Sequence, residues 1–147
     1  MTSKRRYSMK FDWKKVGRAY GSNLPISLKH AVNVCKYIKG MQVEKAVRML
    51  KEVMELKRPI PFKRYNRDIP HRKGEGFGPG RFPVKASKYI LKILENAINN
   101  AKQKGLEISK LKILHISAHR AISKEKMAMY GFPKSTHVEI VIGEGSD

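Results

Sequence analysis

Apolar residues recur every three or four positions in three segments before Gly105 and every second position in the last third of the chain, and this change of period constrains the fold more than any other feature. A period near 3.6 lays apolar side chains along one face of a helix, whereas a period of two lays them on one face of a strand. The strongest helical stripe is Ala86, Ile90, Ile93, Leu94, Ala97, Ile98 and Ala101. Pro83 opens it, at a position where a missing N–H costs nothing, and Gly105 closes it. Leu28, Ala31, Val32, Cys35 and Ile38 predict an earlier helix, with Ser27 as N-cap and Gly40 just past its end. Val43, Ala46, Val47, Leu50, Val53 and Met54 predict another between these two. Pro59 is its expected stop, because the residue before a proline is pushed out of the helical region.

The run from Leu111 to Ile116 and the run from Thr136 to Ile142 are rich in branched residues, and in the second Val138, Ile140 and Ile142 alternate with His137 and Glu139. They are expected to pair as an antiparallel hairpin whose far part, residues 117–135, protrudes as an arm. Asn23-Leu24-Pro25-Ile26 reads as a short edge strand, since Pro25 has no N–H for a central ladder. The fold class is therefore α+β: three helices packed on a small three-stranded antiparallel sheet, with a protruding hairpin and basic extensions, in one domain spanning residues 1–147. The tail from Gly143 to Asp147 is small and acidic, and is expected to fray.

Charge points to a partner. The chain holds 32 Lys and Arg against 12 Asp and Glu, a formal net charge of +20, and such an excess is usually offset by a polyanion. Membrane is the poorer choice of polyanion, because the longest stretch without a charged residue, Ala19 to Leu28, has ten residues and cannot span a bilayer or serve as a signal-peptide core. A single cysteine, Cys35, offers no disulfide within the chain and fits a reducing compartment. Residues 1–20 read as an extended basic arm with interleaved aromatics. Residues 57–83 read as a basic loop that, followed on to Lys85, holds nine basic residues, five prolines and four glycines, with no core face drawn through it. Arg and Lys neutralise phosphates while Phe62, Tyr65, Phe77 and Phe82 could stack on unpaired bases. Both segments are expected to order only on nucleic acid, having too little apolar surface to offset their chain entropy. RNA is favoured over DNA, because no helix-turn-helix, zinc finger or basic zipper is present. The expected RNA contacts are Arg5, Arg6, Lys14, Lys15 and Arg18 in the arm, and Arg58, Lys63, Arg64, Tyr65, Arg67, Arg72, Lys73, Arg81 and Lys85 in or beside the loop. Lys88 on the following helix, and His119, Arg120, Lys124 and Lys126 on the hairpin, complete the set.

Catalytic readings have less behind them. His115 and His119 are four apart, a zinc-ligand spacing on a helix, but they fall in a strand pattern with no third ligand nearby in sequence. Gly74, Gly76, Gly78 and Gly80 alternate without a preceding strand, and no Gly-Lys-Ser/Thr occurs, so a P-loop is excluded. Cys35 lies on an apolar stripe, where a thiol behaves as a small buried hydrophobe. Glu44, Glu52 and Glu55 lie among Lys45, Arg48 and Lys51 as ordinary ion-pair partners. The expectation is no enzyme, no metal, no cofactor and no small-molecule substrate.

Several ordered motifs between residues 20 and 142 resemble one family. They are Ile38-Lys39-Gly40-Met41 followed by Ala46 and Leu50; Arg58-Pro59-Ile60-Pro61-Phe62-Lys63-Arg64-Tyr65-Asn66; Gly78-Pro79-Gly80-Arg81-Phe82-Pro83-Val84-Lys85-Ala86; and Ile90 to Ala97 with Asn100-Ala101. Ile113 to Arg120 and His137 to Val141 continue the series as outgoing and returning hairpin strands. Together they resemble the large-subunit ribosomal protein L-twenty-two family in its archaeal and eukaryotic form, called L-seventeen in eukaryotes. The resemblance implies a structural ribosomal protein in the cytoplasm, bound to large-subunit ribosomal RNA and neighbouring large-subunit proteins, with its hairpin tip reaching the peptide exit tunnel and the nascent chain. Hairpins of this branch usually carry a longer, Arg-rich tip, whereas Ala121 to Ser135 offers Lys124, Glu125, Lys126, Met127, Met129 and Lys134. A free-standing RNA chaperone or assembly factor is the alternative from another class.

Overall fold

The computed structural model describes residues 7–74, 77–121 and 134–145. Its elements run β1 (Val16–Leu24), α1 (Leu28–Ile38), α2 (Val43–Met54), β2 (Ile60–Pro61), β3 (Gly80–Arg81), α3 (Val84–Gln103), a 3-10 turn (Ile108–Lys110), β4 (Leu111–Arg120) and β5 (Thr136–Glu144). The three long strands form an antiparallel sheet in the order β1-β5-β4, and β2 and β3 pair as a separate two-stranded ribbon. This is the expected α+β architecture. β4 and β5 pair from Leu111 opposite Glu144 to Arg120 opposite Thr136, as the hairpin reading requires.

A bulge in β4 decides what faces the helices. The register shifts between Ile113 and His115, so Leu114 is an extra residue and the inward parity changes there. Leu111 and Ile113 before it, and Ile116 after it, consequently all join the one core. Against this sheet lies α3, whose Ile90, Leu94, Ala97 and Ala101 are fully buried. It approaches β1 closely because Gly17 has no side chain: a Cβ there would stand 2.6 Å from the Ala97 carbonyl oxygen and 2.7 Å from the Ala101 Cβ. α1 packs beside α3 on the β4 part of the sheet, α2 packs on α3, and the two present Val34, Ile38, Leu50 and Val53 to the same core.

The helix ends differ from expectation in detail. α2 stops at Met54, well before Pro59, because Leu56 takes a left-handed φ of 59°. The Leu56 N–H then reaches the Val53 carbonyl and the Lys57 N–H reaches the Glu52 carbonyl, a Schellman closure without glycine. Gly105 ends α3 by the same pair of bonds, to Lys102 and from Leu106 to Ala101. Ser27 occupies the α1 N-cap, where its carbonyl accepts from Ala31 while its hydroxyl makes no capping bond. Pro83 stands one place earlier than expected, at the N-cap of α3.

Three expectations about the extensions need correction. Val16 to Tyr20 are not arm but the first half of β1, paired from Val16 opposite Gly143 to Tyr20 opposite Glu139. β1 is indeed an edge strand, yet it runs Val16–Leu24, so Pro25 and Ile26 of the strand expected over Asn23 to Ile26 lie past its end. The loop does contain core: Ile60 and Phe62 are buried, so Phe62 is a core side chain and not a free stacking platform. Ser117 to Arg120 belong to the sheet through pairs with Glu139 to Thr136. Residues 122–133 of the expected hairpin arm, with Lys124 and Lys126, and residues 1–6 of the basic arm, with Arg5 and Arg6, lie outside the described residues.

Candidate nucleic-acid interface

A buried amide sets the course of the basic loop. Asn33, on α1, is 2% exposed. Its Nδ2 donates to the Arg64 carbonyl at 2.9 Å and to the Lys29 carbonyl at 2.8 Å, while its Oδ1 accepts from the Arg64 N–H at 3.1 Å. The residue after this clamp, Tyr65, has a left-handed φ of 54° and is exposed. Upstream, buried Ile60 and Phe62 root the loop, and the Phe62 N–H donates to the Pro79 carbonyl at 2.8 Å. Downstream, Arg72 works as a brace: its Nε donates to the Gly80 carbonyl at 3.0 Å and its guanidinium lies 5.3 Å from the Phe82 ring centre.

The remaining cations split into those with protein partners and those without. Arg58 pairs with Glu52 at 3.2 Å, and fully exposed Arg67 faces Asp68 at 3.9 Å, contacts of little energetic weight at the surface. Lys63, Arg64, Lys73, Arg81, Lys85 and Lys88 are exposed and make no ion pair with a described carboxylate. Of these, Arg64 and Arg81 stand beside α1, together with residues distant in sequence. A cleft of about 790 Å³ is lined by Ile26 to Lys29 from the start of α1, Tyr65 from the loop, Arg120 and Ala121 from the end of β4, and Lys134 to Thr136 leading into β5. The Lys29 ammonium is 5.7 Å and the Arg64 guanidinium 5.9 Å from the Tyr65 ring centre. Beside this cluster His30 has its pKa lowered, first by burial and then by the positive charges of Arg81 and Lys134. Lys29, Arg64, Arg81 and Lys134 thus gather positive charge here.

The outer face of the sheet is covered by the N-terminal segment. Ser8 bonds through its hydroxyl to Glu139 and, at 3.0 Å, to His115 Nε2. Glu139 Oε1 also meets His115 Nε2 at 2.8 Å and accepts from the Ser117 hydroxyl at 2.8 Å. Burial pushes the Glu139 carboxyl up, but the bonds from Ser8, His115 and Ser117 outweigh it and bring the pKa down to about 2. His119 is exposed, 3.6 Å from the same carboxylate, and its Nε2 lies 2.9 Å from the Ser117 hydroxyl. The His115 and His119 spacing thus serves a carboxylate. Among the described residues no group of three or more His, Cys, Asp and Glu could hold a metal ion. Cys35 is buried and its thiol is pushed up to about 12 by desolvation. Arg18 stacks over Trp13 at 4.4 Å and Tyr7 at 5.2 Å, and Lys104 reaches back from the end of α3 to the carbonyls of Trp13 and Val16. Lys14 and Lys15 stay exposed in the same segment.

Of the expected contact residues, the fold brings Arg64, Tyr65, Arg81 and Arg120 to one side of α1, stacks Arg18 on the N-terminal segment, and leaves Lys14 and Lys15 exposed just before β1. Sequence reasoning missed Lys29 and Lys134, which no local charge run marks, and Asn33, a polar residue at a helix position that is apolar-flanked. The last was readable as an anomaly, since a buried amide needs partners.

The family model described as "Ribosomal protein L22p/L17e" matches residues 19–141. Relatives named "Large ribosomal subunit protein uL22" include one from Methanococcus aeolicus, 41% identical over 97% of this chain and 98% of its own length. Another, from Methanocaldococcus jannaschii, is 40% identical over 98% of this chain and 97% of its own, and one from Archaeoglobus fulgidus is 42% identical over 85% and 81%. With a match over most of its length, with relatives of this identity and with the α+β body just described, the chain belongs to the ribosomal protein L22p/L17e family, a family of structural proteins and not of enzymes.

Proposed function

We propose that this protein is a structural constituent of the large ribosomal subunit that binds ribosomal RNA through two basic surfaces, the α1 side with its loop and the N-terminal segment. The observation carrying the reading is that Lys63, Arg64, Arg81, Lys85 and Lys88 are exposed without described carboxylate partners, so their charge is offered outward. Its working place is the cytoplasmic ribosome beside neighbouring large-subunit proteins, with the hairpin directed to the peptide exit tunnel and the nascent chain. Arg5, Arg6, Lys124 and Lys126 extend these contacts from outside the described residues.

Sedimentation with mature subunits tests residence. Tagged protein should remain with the large subunit after a moderate salt wash, and crosslinks to ribosomal RNA should fall on Arg64, Arg81 and Arg120. Release in the wash, with binding only to precursor particles, would favour an assembly factor or RNA chaperone instead.

A further inference from the structure

The cleft beside α1 has features that backbone neutralisation alone does not require. Its walls come from four stretches of the chain, and internal bonds hold them: the Thr136 hydroxyl donates to the Ile26 carbonyl at 2.9 Å, and the buried Asn33 clamp holds Arg64, next to Tyr65. At about 790 Å³ it lies within the size range of pockets that enclose a small ligand. Its lining includes Lys29, Arg120 and Lys134 and, among the described residues, no carboxylate. Tyr65, a residue 48% exposed, supplies an aromatic ring from a left-handed backbone conformation that a bulky residue adopts only when its surroundings impose it. Lys29 and Arg64 stand near the outer limit of cation–π contact with that ring.

A pocket that joins cations to an aromatic ring without acid selects an anion carrying a flat ring. We propose that this cleft takes a single unpaired nucleotide of the RNA, its base stacked on Tyr65 and its phosphate held by Arg120 and Lys134. The inference rests on the reading that the protein binds ribosomal RNA, and adds that one contact needs a base out of its helical stack. Bases inside a duplex cannot reach Tyr65, whereas a bulged or looped-out base presents its face to it.

The test uses the full chain and two probes at low salt: a short oligouridylate carrying one 2-aminopurine, whose neighbours stack little, and an RNA duplex of similar length. The single strand should bind with the 2-aminopurine emission quenched by stacking. Tyr65→Ala should weaken single-strand binding roughly 5- to 150-fold, the equivalent of a stacking loss of about 1–3 kcal/mol, while leaving duplex binding nearly unchanged. Tyr65→Phe, which keeps the ring, should bind as the parent does. Lys134→Gln, at an exposed position lining the same cleft, should weaken single-strand binding and make its salt dependence shallower. If the parent binds both probes and Tyr65→Ala alters neither affinity nor quenching, the nucleotide pocket is refuted and RNA binding stands. If Tyr65→Ala alters folding, Lys134→Gln and Tyr65→Phe decide the matter, and a Tyr65→Phe protein that binds the single strand no better than one with Lys134→Gln refutes stacking. If the parent binds neither probe, both readings fail together.

Discussion

Single residues carry more of this architecture than their types suggest. Glu139 falls in an alternating strand pattern that would place it in solvent, yet it is 2% exposed beneath the N-terminal segment. Its pKa of about 2, below the ordinary 4.5, means the folded state favours the ionised form. The stabilisation from that preference is fully present above the ordinary value and is lost as pH falls from about 4.5 toward 2. Glu139→Gln should therefore cost roughly 1–3 kcal/mol near neutral pH, with the gap from the parent closing across that acid window in denaturant titrations at stepped pH. Gly17→Ala should also destabilise, by about 1–3 kcal/mol, because the added Cβ meets helix backbone and the Ala101 Cβ, neither of which is the far end of a flexible side chain. Leu94→Ala, at a fully buried position in the centre of the α3 stripe, should cost roughly 2–5 kcal/mol. A loss below about 1 kcal/mol would place Leu94 outside the well-packed core.

At the scale of elements, the basic loop is rooted where composition alone suggested a free tether. Ile60 and Phe62 are core residues, β2 and β3 pair, and Asn33 fastens Arg64. Amide exchange in the free protein should divide the loop accordingly. The Phe62 and Arg64 N–H groups, bonded to Pro79 and Asn33, should be protected, while Lys63 and Asn66 exchange quickly. Asn33→Ala should abolish the protection of Arg64, lower stability by about 1–3 kcal/mol by leaving the part-buried Arg64 N–H and carbonyl without their partner, and leave Phe62 protected. Uniform fast exchange from 57 to 74 would show that the loop is not rooted in the free protein. The N-terminal segment follows the same logic, tied at Ser8 to Glu139 and at Trp13 and Val16 to Lys104.

For the whole molecule, a net charge of +20 on 147 residues is a repulsive load that bound RNA would relieve. Replacing Arg64, Arg67 and Arg81 by Gln should weaken binding to a cognate RNA fragment and lower the log–log salt slope by about one for each phosphate left without its cation, taking the duplex-DNA rule as a guide. All three side chains are exposed, so thermal unfolding of the triple variant should stay within about 1 kcal/mol of the parent. Equal slopes and equal affinities would move the RNA-facing surface away from this side and onto the N-terminal segment or the hairpin.

Local periodicity was enough for the sequence to determine the three helices, the strand pair and the α+β class, because a repeat of 3.6 or two is written in neighbouring residues and is enforced by burial of one face. Composition likewise carried the basic character of the surface, and a series of ordered motifs carried the family. Only the tertiary structure decided what long-range packing controls. It placed Val16 to Tyr20 in β1, because β5 offers an edge that the first residues of the chain can complete. It shifted the β4 parity at Leu114, put Phe62 in the core, and turned Glu139 from a surface residue into a buried hub. Lys29, Tyr65, Arg120 and Lys134 are spread over most of the chain, so no short window of sequence contains their cleft. It exists because α1, the loop and the hairpin base fold against one another.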